Sequence, residues 1–185
     1  AAMHRGHYGP DDVLAALERL AGRFPVLGLG ADLLVGFPGE GEAEFAETLT
    51  LCQALPLTYA HVFPYSRRPG TPAASLPSQV QTGDKKTRAA TLRNVVAEKR
   101  QAFLDRLVAL PRVTVALEAL GSQDPLDRGR GVCEYYVPCR VRAPGSDASE
   151  SGMASARVGQ LVAARPLAHH QGRLEVEPIA PREES

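Results

Sequence analysis

A strand-like segment in the first hundred residues carries aromatic and titratable side chains at alternate positions. The segment is Thr58–Tyr65, of sequence TYAHVFPY. Because side chains alternate across a strand, one face carries three aromatic rings and an imidazole, those of Tyr59, His61, Phe63 and Tyr65. The other face is small and apolar and would suit packing against helices, so we expect the aromatic face to point into a β/α barrel near the mouth where such barrels place their sites. The alternative is that His61 is a hydrogen-bonded core histidine.

The loop that follows this segment carries two adjacent arginines. Its sequence is Ser66-Arg67-Arg68-Pro69-Gly70-Thr71. A guanidinium group can bind a phosphate or a carboxylate through two parallel hydrogen bonds, and both groups would lie beside the expected barrel mouth. The sequence therefore predicts an anion-binding loop, with a solvated turn as the alternative.

An acidic residue stands inside an apolar run at Asp32, followed by a glycine-rich turn, in the sequence DLLVGFPGE that ends at Glu40. Burying a carboxylate costs several kcal/mol unless it has a partner, so we expect Asp32 to have a ligand or a counter-ion. Gly36 and Gly39 would let a ligand approach the backbone closely. A tight turn with only a structural role would have the same composition.

Arginines recur in the last sixty residues around a pair of tyrosines, Tyr135 and Tyr136. Guanidinium groups suit contacts with phosphates, and tyrosine rings suit stacking on bases. The pattern is also typical of an ordinary soluble surface. The arginines are Arg128, Arg130, Arg140, Arg142, Arg157, Arg165 and Arg173.

The elements that position the first three groups alternate between helix and strand. A helix is predicted from Pro10 to Pro25 on an apolar stripe, and a second from Gly41 to Pro56. The run Val26–Val35 has no polar alternation, which predicts a strand buried on both faces. With Thr58–Tyr65 as the next strand, this order predicts parallel units of a β/α barrel.

A long helix is predicted from Asp84, as its cap, to Val108. Seven of its residues are Lys or Arg and three are Asp or Glu, so it has a modest basic face. We expect its apolar side to be buried. The predicted buried residues are Leu92, Val95, Val96, Phe103 and Leu107.

Beyond Pro111 the sequence changes to short strands separated by Gly, Pro, Ser and Asp, a spacing typical of all-β domains. Strands of this length and number favour a small closed or nearly closed barrel. The predicted organisation is an α/β domain over 1–110, an all-β barrel over 111–178 and a tail over 179–185. The predicted strands are Val113–Ala119, Val132–Val141, Ala156–Ala164 and Arg173–Glu177.

The overall composition gives few functional hints. Of 185 residues, 21 are Lys or Arg and 21 are Asp or Glu, so net charge does not argue for a nucleic-acid partner. We expect no membrane span, no leader peptide and a cytoplasmic location. The three cysteines have no metal, redox or disulfide spacing, which predicts reduced thiols and no metal site.

The ordered motifs resemble the second half of the MiaB/MtaB-type radical SAM methylthiotransferases. The resemblance covers about 3–108 strongly, and its Leu-Pro, His-Val-Phe and Arg-Pro-Gly-Thr elements are most similar to the branch that modifies N6-threonylcarbamoyladenosine. It rests on Asp32–Glu40, Phe45, Thr48, Leu49, Leu55-Pro56, His61–Ser66, Arg68–Ala73 and Gln79-Val80.

For about 111–178, the resemblance implies a TRAM-like, OB-like RNA-binding β-barrel. Gly131-Val132-Cys133-Glu134-Tyr135-Tyr136-Val137 is similar to the family's Gly-x-x-Glu-Asn-Tyr-x stretch, with Tyr135 in place of the usual Asn. Gly41 likewise stands where the family commonly has Thr. The first domain would be the carboxy-terminal part of a radical SAM β/α partial barrel.

The resemblance also implies cofactors and site residues. The family uses S-adenosylmethionine and 4Fe-4S clusters, but its Cys-x3-Cys-x2-Cys motif does not occur in this chain. No residue is assigned as catalytic. The residues expected to bind the cofactor are Asp32, Val35, Gly36, Phe37, Pro38, Gly39, Glu40 and His61. Those expected to bind substrate or RNA are Phe63, Tyr65, Ser66, Arg67, Arg68, Arg140 and Arg142.

The implied activity is addition of a methylthio group to N6-threonylcarbamoyladenosine beside the tRNA anticodon. The implied partners are tRNA and S-adenosylmethionine, with no membrane and no DNA. The sequence reads as a fragment of such an enzyme, which we expect to be inactive alone. The alternatives are an inactive tRNA-binding module, a methylthiotransferase that acts on another RNA or a ribosomal protein, and a degraded gene product.

Overall fold

The structure is a computed structural model that describes residues 9–24, 26–121, 127–143 and 157–179. The chain divides into two compact units, 1–100 and 101–185, and the boundary falls inside a long helix. Most of the predicted tail and the start of the third predicted barrel strand lie outside the described residues.

The first unit alternates helices and strands in the predicted order. Its elements are α1 Pro10–Arg23, β1 Gly30–Val35, α2 Glu42–Ala54, β2 Tyr59–Pro64, a short 3-10 helix Pro72–Ser75, and the part of α3 Thr82–Val108 that precedes the boundary. Carboxylates in the first turns of α1 and α2 accept hydrogen bonds from the preceding backbone, as Glu44 does from the Gly41 N–H at 2.9 Å. The predicted cap at Asp84 is wrong, because α3 begins two residues earlier and Asp84 lies in its first turn.

Strands β1 and β2 form a two-stranded parallel sheet, which confirms that the two segments lie side by side. Asp32 is paired in register with His61, and Leu34 with Phe63. The opposite face supplies Val35 and Val62 to the core. The buried residues of that core are Val35, Cys52, Leu55, Leu57, Val62, Ala89, Leu92 and Val96.

The prediction that Val26–Val35 is buried on both faces is wrong. The strand begins at Gly30, and its burial alternates, with Asp32 and Leu34 exposed. Helical residues cover one face of the sheet, where they pack with Val35, and the other face is open in the described part of the chain. Apolar composition alone therefore did not distinguish a strand buried on one face from a strand buried on both.

The second unit contains a closed five-stranded barrel, which confirms the predicted small barrel. The strand order around it is β3-β4-β5-β7-β6, and all neighbours are antiparallel except β5 and β7, which are parallel. The strands are β3 Val113–Leu120, β4 Asp127–Cys133, β5 Pro138–Arg142, β6 Leu161–His170 and β7 Arg173–Pro178.

Two of the predicted barrel strands are corrected by the structure. The predicted strand Val132–Val141 is a hairpin, because the chain reverses between β4 and β5 at a turn that places Tyr136 in the left-handed region. The predicted strand Ala156–Ala164 instead begins at Leu161 and continues to His170. The turn was missed because the left-handed position carries Tyr rather than Gly or Asn.

The barrel interior is filled by alternate apolar side chains, most of them β-branched or small. They include Val115, Val141, Leu174 and Val176, all fully buried. Cys133 and Cys139 are buried free thiols in this unit, and Cys52 is one in the first.

Within the described ranges, no helix is long and apolar enough to cross a membrane.

Candidate functional site

The open face of the β1–β2 sheet carries several of the candidate binding residues predicted from the sequence. Tyr59, His61 and Phe63 are exposed on β2, and Asp32 and Leu34 are exposed beside them on β1. Phe63 retains 50% of its exposure and Tyr59 retains 44%. Asp32 was predicted to be buried, and this is wrong, because it lies on the open face.

The aromatic rings follow one another along β2. The ring centroids of Tyr59 and His61 are 6.0 Å apart, and those of His61 and Phe63 are 6.1 Å apart. The Tyr59 ring lies over Gly30, where a Cβ would collide with it. The face therefore presents a strip of rings with a carboxylate next to the central imidazole, an arrangement that suits a planar, cationic or hydrogen-bonding ligand.

The loop from Gly36 to Glu40 closes the carboxyl end of β1. Gly36 and Gly39 have φ of 73° and 90°, in the left-handed region that favours glycine. The Gly36 N–H donates to Glu40 Oε2 at 2.9 Å, and the Gly39 N–H donates to the Ser78 carbonyl at 2.9 Å. The loop is thus held by its own carboxylate and by the segment before α3.

Arg88 of α3 holds the end of this loop through hydrogen bonds to Glu40 and Glu42. Its guanidinium donates to Glu40 Oε1 at 2.8 Å, to the Glu40 carbonyl at 3.0 Å and to Glu42 Oε1 at 2.6 Å. The Arg88 side chain is 7% exposed and that of Glu40 is 13% exposed. The hydrogen bond that Arg88 donates to the Glu42 carboxylate raises the pKa of Arg88 against the opposing effect of burial. Glu40, predicted to bind a cofactor, therefore has both carboxylate oxygens engaged within the protein.

Sequence reasoning missed Arg88 because it appeared only as part of the basic face of α3. Several of those cations donate to backbone carbonyls of the first unit. Lys99 Nζ, for example, lies 2.7 Å from the Gln53 carbonyl and 2.9 Å from that of Leu55, at the end of α2. Arg93 donates to the Val62 carbonyl at 3.1 Å. The signal in the sequence was their spacing of three to six residues, which places them beside the buried stripe of the helix.

The other predicted residues of the loop and of the end of β2 differ in how far they are buried and in what they contact. Val35, Gly36 and Pro38 are buried, so Val35 offers a ligand only backbone atoms. Tyr65 lies beyond β2, with its ring 5.5 Å from that of Phe37 and Lys85 Nζ 5.5 Å from its ring centroid. Its hydroxyl is buried and has no hydrogen-bond partner among the described residues. A ligand could supply that partner.

The arginine loop is exposed after β2. Arg67 Nε donates to the Ala74 carbonyl at 2.8 Å, which fixes the loop against the short 3-10 helix. Ser66 and Arg68 are exposed, and the Arg68 carbonyl accepts from the Thr71 hydroxyl at 2.8 Å. Arg68 thus has a side chain in solvent and a backbone fixed by its own turn.

In the second unit, Arg140 and Arg142 are half-buried on β5. Arg140 is paired across the strands with Arg130 on one side and Glu175 on the other. An Arg142 guanidinium nitrogen lies 3.9 Å from a Glu175 carboxylate oxygen, at the limit for an ion pair. Both arginines therefore share an outward face with Arg130 of β4.

The two thiols of the barrel lie on neighbouring strands. A hydrogen bond from Cys139 lowers the pKa of Cys133 to about 7, and the same contact together with burial raises the pKa of Cys139. Cys52, in the other unit, is buried beside Lys99. The described residues contain no cluster of three or more His, Cys, Asp or Glu side chains that could hold a metal ion.

No family model matches the chain. It is, however, similar to curated enzymes named tRNA-2-methylthio-N(6)-dimethylallyladenosine synthase. The one from Sphingopyxis alaskensis is 36% identical over 146 residues, which cover 78% of this chain and 32% of the relative. The chain is therefore similar to a part of this synthase. The matched stretch is longer than the 100 residues of the first unit, so it includes residues of both units.

Two further relatives carry the same name. The enzyme from Maricaulis maris is 35% identical over 107 residues, covering 58% of this chain and 23% of the relative. That from Magnetococcus marinus is 41% identical over 96 residues, covering 52% and 22%. The chain spans about a third or less of the length of these relatives. Their names refer to dimethylallyladenosine and not to threonylcarbamoyladenosine, so the branch expected from the sequence is corrected.

Proposed function

We propose that this chain is a part of a radical SAM methylthiotransferase that acts on N6-dimethylallyladenosine in tRNA. In this proposal the first unit belongs to a β/α partial barrel, and the second unit is an RNA-binding barrel of the TRAM type. The observation that carries the proposal is a similarity that runs through both units to enzymes named for that product.

The open face of the first unit supports a role in cofactor binding. Asp32 and His61 lie side by side on it and can hydrogen-bond a ligand that carries amino and hydroxyl groups. In the proposal they bind S-adenosylmethionine, together with the backbone of Val35 and of the Gly36–Gly39 turn. Glu40 acts as a positioning residue, because its oxygens hold Gly36 and Arg88.

S-adenosylmethionine would supply the methyl group and, with an iron–sulfur cluster, the radical chemistry. The three cysteines of this chain do not fit a cluster. Cys52 is buried in one unit and Cys133 and Cys139 in the other, and thiolate ligation needs several cysteines that converge on one cluster. In the proposal, the residues of the open face therefore bind and orient S-adenosylmethionine. No step is assigned to them through a cluster.

The substrate side in this proposal follows β2 to the arginine loop. Phe63 is half exposed at the end of the aromatic strip and can stack on an adenine ring. Ser66 and Arg68 are exposed immediately beyond it and can contact tRNA phosphate. Tyr65 and Arg67 have packing and backbone partners, so we assign them to the support of this edge as well as to the substrate.

A chimaeric enzyme tests the proposal. The corresponding segment of the Sphingopyxis alaskensis synthase is replaced by this chain, and methylthiolated dimethylallyladenosine in tRNA is measured by mass spectrometry. We expect product with dimethylallyladenosine-containing tRNA and none with threonylcarbamoyladenosine-containing tRNA. A chimaera that binds S-adenosylmethionine and assembles its clusters but modifies only the second tRNA would contradict the proposal.

Matched variants locate the site within that chimaera. His61→Ala and Asp32→Asn should lower the affinity for S-adenosylmethionine, because they remove an exposed imidazole and an exposed negative charge from the open face. Glu18→Gln on α1 is the control, since it changes one exposed carboxylate away from that face. Equal affinities in all three variants would remove the open face from the cofactor site.

The chain by itself is proposed to bind tRNA without modifying it. An assay of iron and sulfide after reconstitution of the isolated chain should find neither in stoichiometric amount. Finding a full cluster on the isolated chain would contradict this part of the proposal.

A further inference from the structure

The β4–β5 hairpin holds a tyrosine in an unfavourable backbone conformation. The Cys133 N–H donates to the Val137 carbonyl at 3.0 Å, and the Tyr136 N–H donates to the Cys133 carbonyl at 2.9 Å. These bonds close a three-residue loop whose last residue, Tyr136, has a φ of 56°. Glycine or asparagine suits this left-handed position, and a bulky side chain there is strained.

The Tyr136 side chain gains no compensating packing. Its exposure is 84%, the largest among the exposed large hydrophobic residues of the described part of the chain. The neighbouring Tyr135 differs, because it is half-buried and its ring makes an edge contact with Phe103 at 6.4 Å. The Tyr136 ring thus lies in solvent on a strained backbone, so the stability of the barrel does not explain a tyrosine at this position.

The two strands that carry this ring present arginines on their outer face. We call this surface the basic ribbon, and it consists of Arg128 and Arg130 on β4 with Arg140 and Arg142 on β5. Residues that alternate with them, such as Gly131 and Val141, are buried.

Two of these arginines, Arg130 and Arg140, are direct cross-strand partners. Like charges in that position are unfavourable unless an anion lies between or near them. The carboxylate of Glu175 on β7 lies 3.9 Å from the Arg142 guanidinium, and Glu175 is also opposite Arg140 in the strand register. Arg130, which is exposed, is the member of this pair best placed to contact a phosphate.

We propose that the ring of Tyr136 stacks on an unpaired base of RNA while the basic ribbon contacts the phosphates that flank this base. Arg130 lies three residues before the end of β4, so it is about 10 Å along the strand from the turn, a distance of one to two nucleotides. An exposed ring can stack only on a base whose face is open, so the surface fits a loop or a single strand and not a duplex. The inference rests on the proposed function in taking the RNA to be tRNA, whose anticodon loop contains such bases.

Fluorescence anisotropy with the full chain tests this inference. The probes are a labelled anticodon stem-loop RNA, a single-stranded oligouridylate and a blunt RNA duplex. We expect Tyr136→Ala to weaken binding of the first two by about tenfold, from the usual energy of stacking on one base, and to leave the duplex unchanged. Tyr136→Phe should bind like the wild type. Leu161→Ala is the matched control, since it removes another exposed apolar side chain from β6.

The basic ribbon has its own readout, which is the dependence of binding on salt. Arg130→Gln should reduce the slope of log K against log salt by about 0.7 for one lost phosphate contact. Arg165→Gln should not change that slope. Arg165 is an exposed arginine on β6 that is already paired with the Glu177 carboxylate at 2.6 Å. An unchanged slope for Arg130→Gln would overturn the assignment of the ribbon.

The three probes separate failure of this inference from failure of the proposed function. If the stem-loop binds the wild type and Tyr136→Ala equally well, the inference is overturned and the tRNA partner stands. If oligouridylate binds through Tyr136 while the stem-loop does not bind, the stacking surface stands and the tRNA partner is lost. If none of the probes binds, both are overturned.

Discussion

The two units of this chain differ in strand pairing and in what covers the faces of the strands. The first unit packs helices against one face of two parallel strands, whereas the second closes mainly antiparallel strands into a barrel. In the barrel, closure turns one face of every strand inward, and residues such as Leu174 and Val141 are fully buried there. In the first unit the sheet has two described strands, and the face that carries Asp32, His61 and Phe63 remains open.

This difference separates residues that hold the fold together from residues that are available for binding. An inward side chain of the barrel contributes through burial, so its identity is constrained by volume. A side chain on the open face contributes little burial, so aromatic and charged residues there need another reason. Substitutions on the two kinds of face should therefore behave differently.

The largest expected difference is between two leucines. Leu174→Ala should lower the free energy of unfolding of the barrel by about 3–4 kcal/mol, because it leaves a cavity in a closed core. Leu34→Ala, on a residue that is 37% exposed on the open face, should change stability by less than about 0.5 kcal/mol. Urea denaturation followed by circular dichroism measures both. Similar losses for the two variants would show that the face carrying Leu34 is covered.

Arg88→Ala should affect the first unit and spare the second. Removing the guanidinium leaves the nearly buried Glu40 carboxylate without its cation, which we expect to cost about 3 kcal/mol. Hydrogen exchange should accelerate in Gly30–Glu40 and stay unchanged in the barrel strands. Arg93→Ala is the control, because Arg93 is exposed and its guanidinium donates to a backbone carbonyl, that of Val62, and not to a buried carboxylate. Slow exchange retained at Gly36 in Arg88→Ala would contradict the role of Arg88 in the loop.

The sequence predicted the elements better than their surroundings. Periodicity identified α1, α2, β2 and α3 within a few residues, because apolar spacing follows directly from helix and strand geometry. It did not identify the environment of Asp32, since the solvation of a strand face depends on which elements pack against it. Arg88 and the turn at Tyr136 were missed for a related reason, because their roles depend on partners or backbone angles that composition does not encode.

The candidate site shows the same limit. The side-by-side position of Asp32 and His61 follows from the register of β1 and β2, and the adjacency of these strands was expected from their order. The assignment of Glu40 as a ligand residue could not anticipate its bonds with Gly36 and Arg88. Tyr135 and Tyr136 had equal weight in the sequence, and the backbone geometry of the hairpin separates them.

Tyr136→Gly should stabilise the barrel by about 1 kcal/mol, because glycine adopts a left-handed φ without strain and the exposed ring contributes no packing. The matching substitution Tyr135→Gly should destabilise it, since the ring of Tyr135 packs against Phe103. Thermal unfolding measured by differential scanning calorimetry compares the two variants. A lower Tm for Tyr136→Gly would show that the Tyr136 ring contributes to the fold.

The smallest expected effect is a pH dependence confined to the first unit. Burial raises the pKa of Cys52 above its ordinary value of 9.0, and the charge of Lys99 partly opposes this. The unfolded chain therefore loses the Cys52 proton first, so stability is retained below pH 9 and falls as the pH rises from 9 towards the higher folded-state pKa. The slope is at most about 1.4 kcal/mol per pH unit. Cys52→Ala should remove this component from denaturation curves measured between pH 8 and 10, and identical slopes in both proteins would contradict it.

The parallel pairing of β5 with β7 has a consequence for how the second unit is made. All other neighbours in the barrel are antiparallel, but this seam joins Cys139 to Leu174 across a long stretch of intervening chain. A nascent polypeptide on the ribosome can form the β4–β5 hairpin early, yet it cannot close the cylinder until β7 has left the exit tunnel. Assembly of this unit is therefore late and dominated by a distant contact, which predicts slow barrel formation compared with the hairpin inside it.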